Sequence, residues 1–350
     1  MKDNITLYFF QGLASILVVF IHIPFPGAMG TVVTAWARIA VPLFFMISGY
    51  SLFTYLETDR FRKKLIQRTK RNGSITLMGL AIYLFVDVVK CVLKRESVWT
   101  FLGPAISVPN LVKFITLGVI PPGTGGVLWF MMAMVYSYIF LLLVEPLLKK
   151  NKIKALGLGS FVFMVVLNIV KINATALNIQ ICFINLGSNW IYGNWITIGL
   201  PAMFIGMSLR KLIDEESWIN YSAPAVLTIM ALCLTVTSIE GLIIKHKLNM
   251  YLSYSIFTLV VDVCIFILAQ KKYFNSKNPM VKLGKYYSRD LYLWHPLVMS
   301  AISIILTLLQ LEDYSILTYL QPLIVLIISL LLSITINKIK GGFTNGKVGI

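Results

Sequence analysis

The chain is predicted to be all-α, a polytopic bundle of about ten transmembrane helices with both termini in the cytoplasm. Three observations predict this. Of its 350 residues, 58% are hydrophobic and only 13% charged, and the mean hydropathy is +0.81. No water-soluble interior of this size hides so much apolar surface, so lipid is the solvent for most of the chain. Apolar runs of roughly 20 residues, the length that crosses hydrocarbon, recur about ten times. Lys and Arg collect between alternate runs, the pattern of loops retained on the cytoplasmic side.

The first span is placed at 5–25. It follows Lys2, with no small-x-small cleavage site before Pro24 and Pro26, and reads as a retained helix and not a removed signal peptide. The next spans are placed at 38–56, 74–91, 127–148 and 155–172. Those at 192–210, 222–240, 251–270, 289–310 and 317–337 complete the set. The basic loops Arg60–Arg71, Lys149–Lys154 and Lys271–Lys285 lie on one side, and the loops 92–126 and 173–191 on the other. Residues 98–126 fit no full span and are expected to be re-entrant or interfacial. No internal repeat is visible. One membrane domain over 1–340 and a short cytoplasmic tail at 341–350 account for the chain.

The formal net charge is +17. With the cations concentrated in such loops, the partner it implies is the anionic bilayer surface, in a multi-pass protein of the plasma or inner membrane, and not nucleic acid. Cys91, Cys182, Cys233 and Cys264 form no CxxC or Cys/His cluster, so no metal centre is expected. A single bridge between Cys91 and Cys182, both placed outside, is left open.

Ionisable residues inside apolar spans are functional candidates, because hydrocarbon tolerates them only with a partner or a cavity. His22 lies about 25 Å along the first helix, near its outer end. Its side chain is the one suited to proton transfer near neutral pH; packing against a neighbouring helix is the plain alternative. Arg68 and Arg71, three residues apart, share a face if their segment is helical and make a seat for phosphates, although ordinary contact with lipid headgroups also fits. Arg38, placed near the outer start of the second span, is either a substrate or oxyanion group or a snorkelling interfacial cation. Asp87 is expected on the outer side, orienting His22 or pairing with Arg38. Asp262, mid-span, must face protein. His295 is expected a few residues into the ninth span from the inner side. Trp99, Trp190 and Trp195 suit either stacking on a sugar or an interfacial belt.

Leu17-Val-Val-Phe-Ile-His22, followed by Pro42-Leu-Phe-Phe-Met-Ile-Ser-Gly-Tyr50 and then Arg68-x-x-Arg71, resembles the acyltransferase-3 family of integral membrane acyltransferases. Leu128-Trp-Phe130 and Ser288-Arg-Asp-Leu-Tyr-Leu-Trp-His295 are similar to its later motifs. Where the family usually has an Asp and then a basic residue in the first span, this chain has Tyr8 and Gln11. The resemblance implies transfer of an acyl group, usually acetyl, from cytoplasmic acetyl-CoA as co-substrate, with no metal. The acceptor it implies is a hydroxyl of an extracytoplasmic saccharide or lipid-linked sugar. Arg68 and Arg71 would hold the donor's phosphates and His22 would act as general base. The competing class is a proton-coupled transporter or flippase of an envelope precursor, using His22, Asp87 and Asp262.

Overall fold

A computed structural model describes residues 4–121, 123–182, 184–215, 221–309 and 315–343. Helix α1, Ile5–His22, is capped by Asn4, whose side chain accepts from Leu7 N at 2.9 Å. It stops at His22 because Pro24 excludes helical backbone for the residue before it, and Ile23 is extended (φ −132°, ψ 81°). Helices α2, Gly27–Ala37, and α3, Ala40–Phe53, form one 27-residue run with a break at Arg38–Ile39. Pro42 explains the break: its ring crowds the Arg38 carbonyl one turn earlier, and it has no N–H to offer it. Arg38 therefore sits at an interior joint of this run. The expected start of the second span at residue 38 is corrected, because the helix already begins at Gly27.

Helix α4 spans Arg60–Leu93, 34 residues without interruption. The basic loop expected at 60–71 is thus the first part of a helix. Lys, Arg, Gln and Leu are all good helix formers, and charge interrupts hydropathy without interrupting helix propensity. Two short helices follow, α5 (Val98–Ala105) and α6 (Val108–Leu117), bent by 53° at their break. Helix α7 is Trp129–Val144 and α8 is Ile153–Ala176. A two-stranded hairpin, β1 (Gln180–Ile181) with β2 (Ile184–Asn185), leads to α9 (Asn189–Tyr192), a π-helical turn and α10 (Leu200–Glu215). The remainder comprises α11 (Ala223–Leu248), α12 (Ile256–Leu268), α13 (Pro279–Lys282), α14 (Ser288–Leu309) and α15 (Ser315–Phe343). Helix α15 runs three residues into the segment expected as a tail, and 344–350 lie outside the described residues. All four cysteines are free.

Among the described residues, nine helical runs are long and apolar enough to cross a membrane. Helix α12, shorter than these runs, also crosses the bundle from one face to the other. The predicted span 251–270 contains only 13 helical residues, roughly 20 Å of rise. Yet the segment before it, Asn249–Ser253, lines a cavity with His22, while Ala269 just after it accepts from Asn4 Nδ2 at 2.9 Å. An extended lead-in thus completes the crossing, which protein surroundings permit and lipid would not. The bent pair α5–α6 begins and ends on the His22 face. Asp87 near the end of α4 lies against Gly123, and Val119 and Ile120 line the His22 cavity. Both ends of the described chain lie on the Asn4 face, where Asn337 of α15 donates to Asp290 at the start of α14.

The buried centre is built by α3, α7 and α10; Phe45, Met46, Leu52, Leu141, Ala202, Met203 and Met207 have no exposed surface. Helix α11 is the most lipid-facing, with 11% of its apolar window buried. Helices α3 and α10 meet backbone to backbone. A Cβ on Gly49 would stand 2.0 Å from the Met203 carbonyl oxygen, and one on Gly206 would stand 2.0 Å from the Met46 carbonyl oxygen. Glycine at both points is what allows this approach. Gly206→Val is expected to force the two helices apart, destabilising the bundle by about 1–3 kcal/mol. A lowered midpoint of thermal unfolding in detergent checks this, whereas Gly159→Val, at a glycine whose Cβ would meet nothing within 4 Å, leaves the midpoint in place.

Candidate active site

Two cavities lie back to back in the bundle. The first, about 380 Å³, opens on the Asn4 face and draws its cations from three helices: Arg68 and Arg71 of α4, Arg210 of α10 and Arg289 of α14. Continuity of α4 puts Arg68 and Arg71 on one face at a spacing of three, so the spacing argument holds as stated. Arg68 reaches across to α3, donating from Nη2 to Ser51 Oγ at 2.9 Å and from Nη1 to Ser48 O and Oγ at 3.3 Å. Ser48 Oγ is shared with the Tyr138 hydroxyl at 2.7 Å. These partners fix the guanidinium without neutralising it. Arg210 does have a carboxylate, Asp214 Oδ2 at 2.9 Å, and stands over the Tyr50 ring at 5.0 Å. Arg289 Nε lies 3.7 Å from Asp290 Oδ1. Among the described residues no Asp or Glu lines this cavity, so its net character is that of an anion seat. Tyr8 and Gln11 also line it, and Gln11 Nε2 donates to Ser288 Oγ at 3.1 Å.

The second cavity, about 490 Å³, is lined by His22, Arg38, Trp129, Asn189, Trp190 and Tyr251, among others. His22 ends its helix and is half-buried, and the Pro42 break brings Arg38 into the same wall. The Arg38 guanidinium lies 5.9 Å from the Tyr251 ring centre, and its Nε is buried without a hydrogen-bond partner.

The partition between the cavities is thin. On α7, Trp129 lines the histidine cavity and its neighbour Phe130 the arginine cavity. On α3, Val41 belongs to the former and Phe44 to the latter, about 4.5 Å apart along the helix. The two cavities share no lining residue. Tyr292 fills the space between, its ring 5.3 Å from Phe130 and 5.9 Å from His295, and its hydroxyl donating to the Val127 carbonyl. His295 is fully buried, with its ring centre 5.3 Å from that of His22. Its Nδ1 is 3.2 Å from the Leu291 carbonyl, and its Nε2 has no partner. A neutral ring donating from Nδ1 keeps Nε2 as an acceptor.

The structure therefore brings His22, Arg38 and His295 together at one depth and keeps Arg68 and Arg71 together at another. Asp87 does not join the first group along the cavity wall; its carboxylate lies 3.8 Å from Lys90 Nζ, and Lys90 in turn donates to Ser300 Oγ at 2.9 Å. Asp262 faces protein as expected, fully buried, with both carboxylate oxygens lacking a hydrogen-bond partner, and it lines neither cavity. Trp190 is in the cavity wall, Trp195 donates to the Thr116 carbonyl at 3.0 Å, and Trp99 is exposed. Sequence reasoning missed Arg210, Arg289 and Tyr292 as site residues; the last two stand inside a motif it had quoted. It also missed Lys171 of α8, which is 2% exposed and donates to Asn189 Oδ1 at 2.9 Å and Ser253 Oγ at 3.0 Å. A lysine at the edge of the 155–172 span was the available signal. Among the described residues, no group of three or more His, Cys, Asp or Glu side chains could hold a metal ion.

Comparison with curated proteins and with solved structures gave no match. A family model described as an acyltransferase domain, of the acyltransferase-3 type, matches residues 5–338. That match takes in both cavities and the partition between them, and the chain belongs to the acyltransferase-3 family of membrane proteins.

Proposed function

We propose that the protein is an O-acyltransferase that moves an acyl group, acetyl by family resemblance, from cytoplasmic acyl-CoA to a hydroxyl of an extracytoplasmic saccharide or lipid-linked sugar. One observation carries this reading: a guanidinium-lined cavity and a histidine-bearing cavity meet at a partition about one helical turn thick. The concentration of Lys and Arg on the Asn4 face supports a cytoplasmic assignment of that face, which carries both ends of the described chain. The pyrophosphate and nucleotide of the donor bind Arg68 and Arg71, with Arg210 and Arg289 closing the ring of cations. The thin pantetheine arm then passes Phe130 and Tyr292, and the thioester arrives beside His22.

The chemistry follows from the groups at that point. His22 accepts the proton of the acceptor hydroxyl as its oxygen attacks the thioester carbonyl. The carbonyl oxygen gains charge as the tetrahedral intermediate forms, and Arg38, with an unused Nε–H, is the donor placed to stabilise it. Collapse of the intermediate expels the CoA thiolate, which takes the proton from His22 and leaves through the cytoplasmic cavity. His295 packs against His22 and limits the orientations its ring can take. A proton-coupled carrier would route its substrate past Asp262, and Asp262 lines neither cavity.

Exchange of Arg68 and Arg71 for Ala is expected to weaken acetyl-CoA binding by at least about tenfold, the effect of losing one charge-assisted contact. Calorimetric titration of the protein in nanodiscs measures this. His22→Ala is expected to keep donor binding within about threefold and to lower transfer by about 10²–10⁴. Mass spectrometry of envelope glycans from cells carrying each variant reads the acyl increment, and an undiminished increment with His22→Ala refutes the assignment. Asp262→Asn is expected to retain the increment; its loss, with the protein still folded, favours the carrier reading.

A further inference from the structure

The walls of the histidine cavity carry more positive charge than a neutral sugar would need. Arg38 lines the cavity with a buried Nε that has no partner. Lys171 is 2% exposed and forms no ion pair; its ammonium holds Asn189 and Ser253, both of which line the cavity. Two further ammoniums back the aromatic walls: Lys113 Nζ lies 4.7 Å from the Trp190 ring centre, and Lys245 Nζ lies 4.6 Å from that of Tyr251. Among the described residues, no Asp or Glu lines this cavity. Glu240 shares with Arg38 a separate small crevice of about 20 Å³, but no ion pair joins them. Asp87 is engaged by Lys90.

Burying an ammonium and a guanidinium without carboxylates is costly, and the cost is offset when a ligand brings the missing negative charge. Low-dielectric walls focus that field into the cavity and raise the local concentration of anions. Trp129, Trp190 and Tyr251 supply flat apolar faces for a sugar ring beside these cations.

We infer that the acceptor entering the histidine cavity is an anionic saccharide, whose carboxylate or phosphate is bound by Arg38 directly and by Lys171 through Asn189 and Ser253. This rests on the proposal that the histidine cavity is the acceptor side. It adds the acceptor's chemical class, and it makes charge, not sugar identity, the first determinant of recognition.

Binding can be tested without any acyl transfer. The full chain in phosphatidylcholine nanodiscs is titrated with methyl glucoside, methyl glucuronide and glucose 6-phosphate, following intrinsic tryptophan fluorescence. The expected result is that one or both charged probes bind at least about tenfold more tightly than methyl glucoside, with affinity falling as salt is raised. The carboxylate and phosphate arms tell which anion the site takes. The preference is expected to persist when Arg68 and Arg71 are both Ala, which places it in the histidine cavity, and to disappear in Arg38→Gln. Equal affinity for the neutral and charged probes overturns the inference, as does the absence of saturable binding by both charged probes. A preference that survives Arg38→Gln, or one that is lost with the Arg68 and Arg71 exchange, overturns it too. If Arg38→Gln does not fold, the probe comparison on the wild-type chain and on the double Ala variant decides alone. Failure of acetyl transfer with anion preference intact would count against the catalytic reading only.

Discussion

The backbone contact between α3 and α10 is the constraint on which the site depends. In lipid, helices gain little from hiding apolar side chains from one another, so close van der Waals packing has to hold them. The reciprocal seating of Gly49 on Met203 and of Gly206 on Met46 provides that packing. Helix α3 thereby becomes a fixed rail. At its start it presents Arg38 and Val41 to the histidine cavity; two turns later it presents Ser48 and Ser51 to Arg68 in the other. The same contact brings Arg210 of α10 against Tyr50. Any slip along this rail would move the cation seat and the histidine relative to each other.

Proline marks each element that carries a polar group to the partition. Pro24 ends α1 so that His22 is its last residue; Pro42 breaks the run before α3 at Arg38; Pro296 lies inside α14 just after His295. Each removes a backbone donor at membrane depth and leaves a carbonyl to be satisfied some other way. Around α14, tyrosine hydroxyls hold further backbone oxygens: Tyr83 donates to the Leu293 carbonyl, and Tyr292 donates to that of Val127. The polarity of the partition therefore comes from backbone as well as from side chains. This explains how two histidines and an arginine are accommodated with few ion pairs.

Much of this was legible in the sequence, and what was not has a physical cause. Spans were legible because lipid fixes their length and forbids polar interruption. Helix α12 departs from the rule because protein surrounds it, as the complete burial of Asp262 attests. The 60–71 segment was misread as a loop because hydropathy drops where Lys and Arg accumulate, although their helix propensity does not. The pairing of Arg68 with Arg71 followed from spacing alone. Arg210 and Arg289 could not be added that way, since their convergence depends on three helices meeting. His22 and His295 are 273 positions apart in the chain, and nothing but the fold brings their rings to 5.3 Å.

The separation of charge between the two cavities bears on how a thioester is used across a membrane. Four arginines line one chamber, while in the other a single arginine stands beside a histidine, with a buried lysine behind the wall. On the proposed reading, a donor of high negative charge is held where its phosphates lie, and only its thin neutral arm has to pass Tyr292 and Phe130. On that reading the aromatic partition is what separates the two aqueous sides, with Tyr292 packed against Phe130 and its hydroxyl held by the Val127 carbonyl. Keeping water from the thioester matters as much as presenting it to the acceptor, since hydrolysis competes with transfer. A thin aromatic partition between two deep cavities achieves both with a short path.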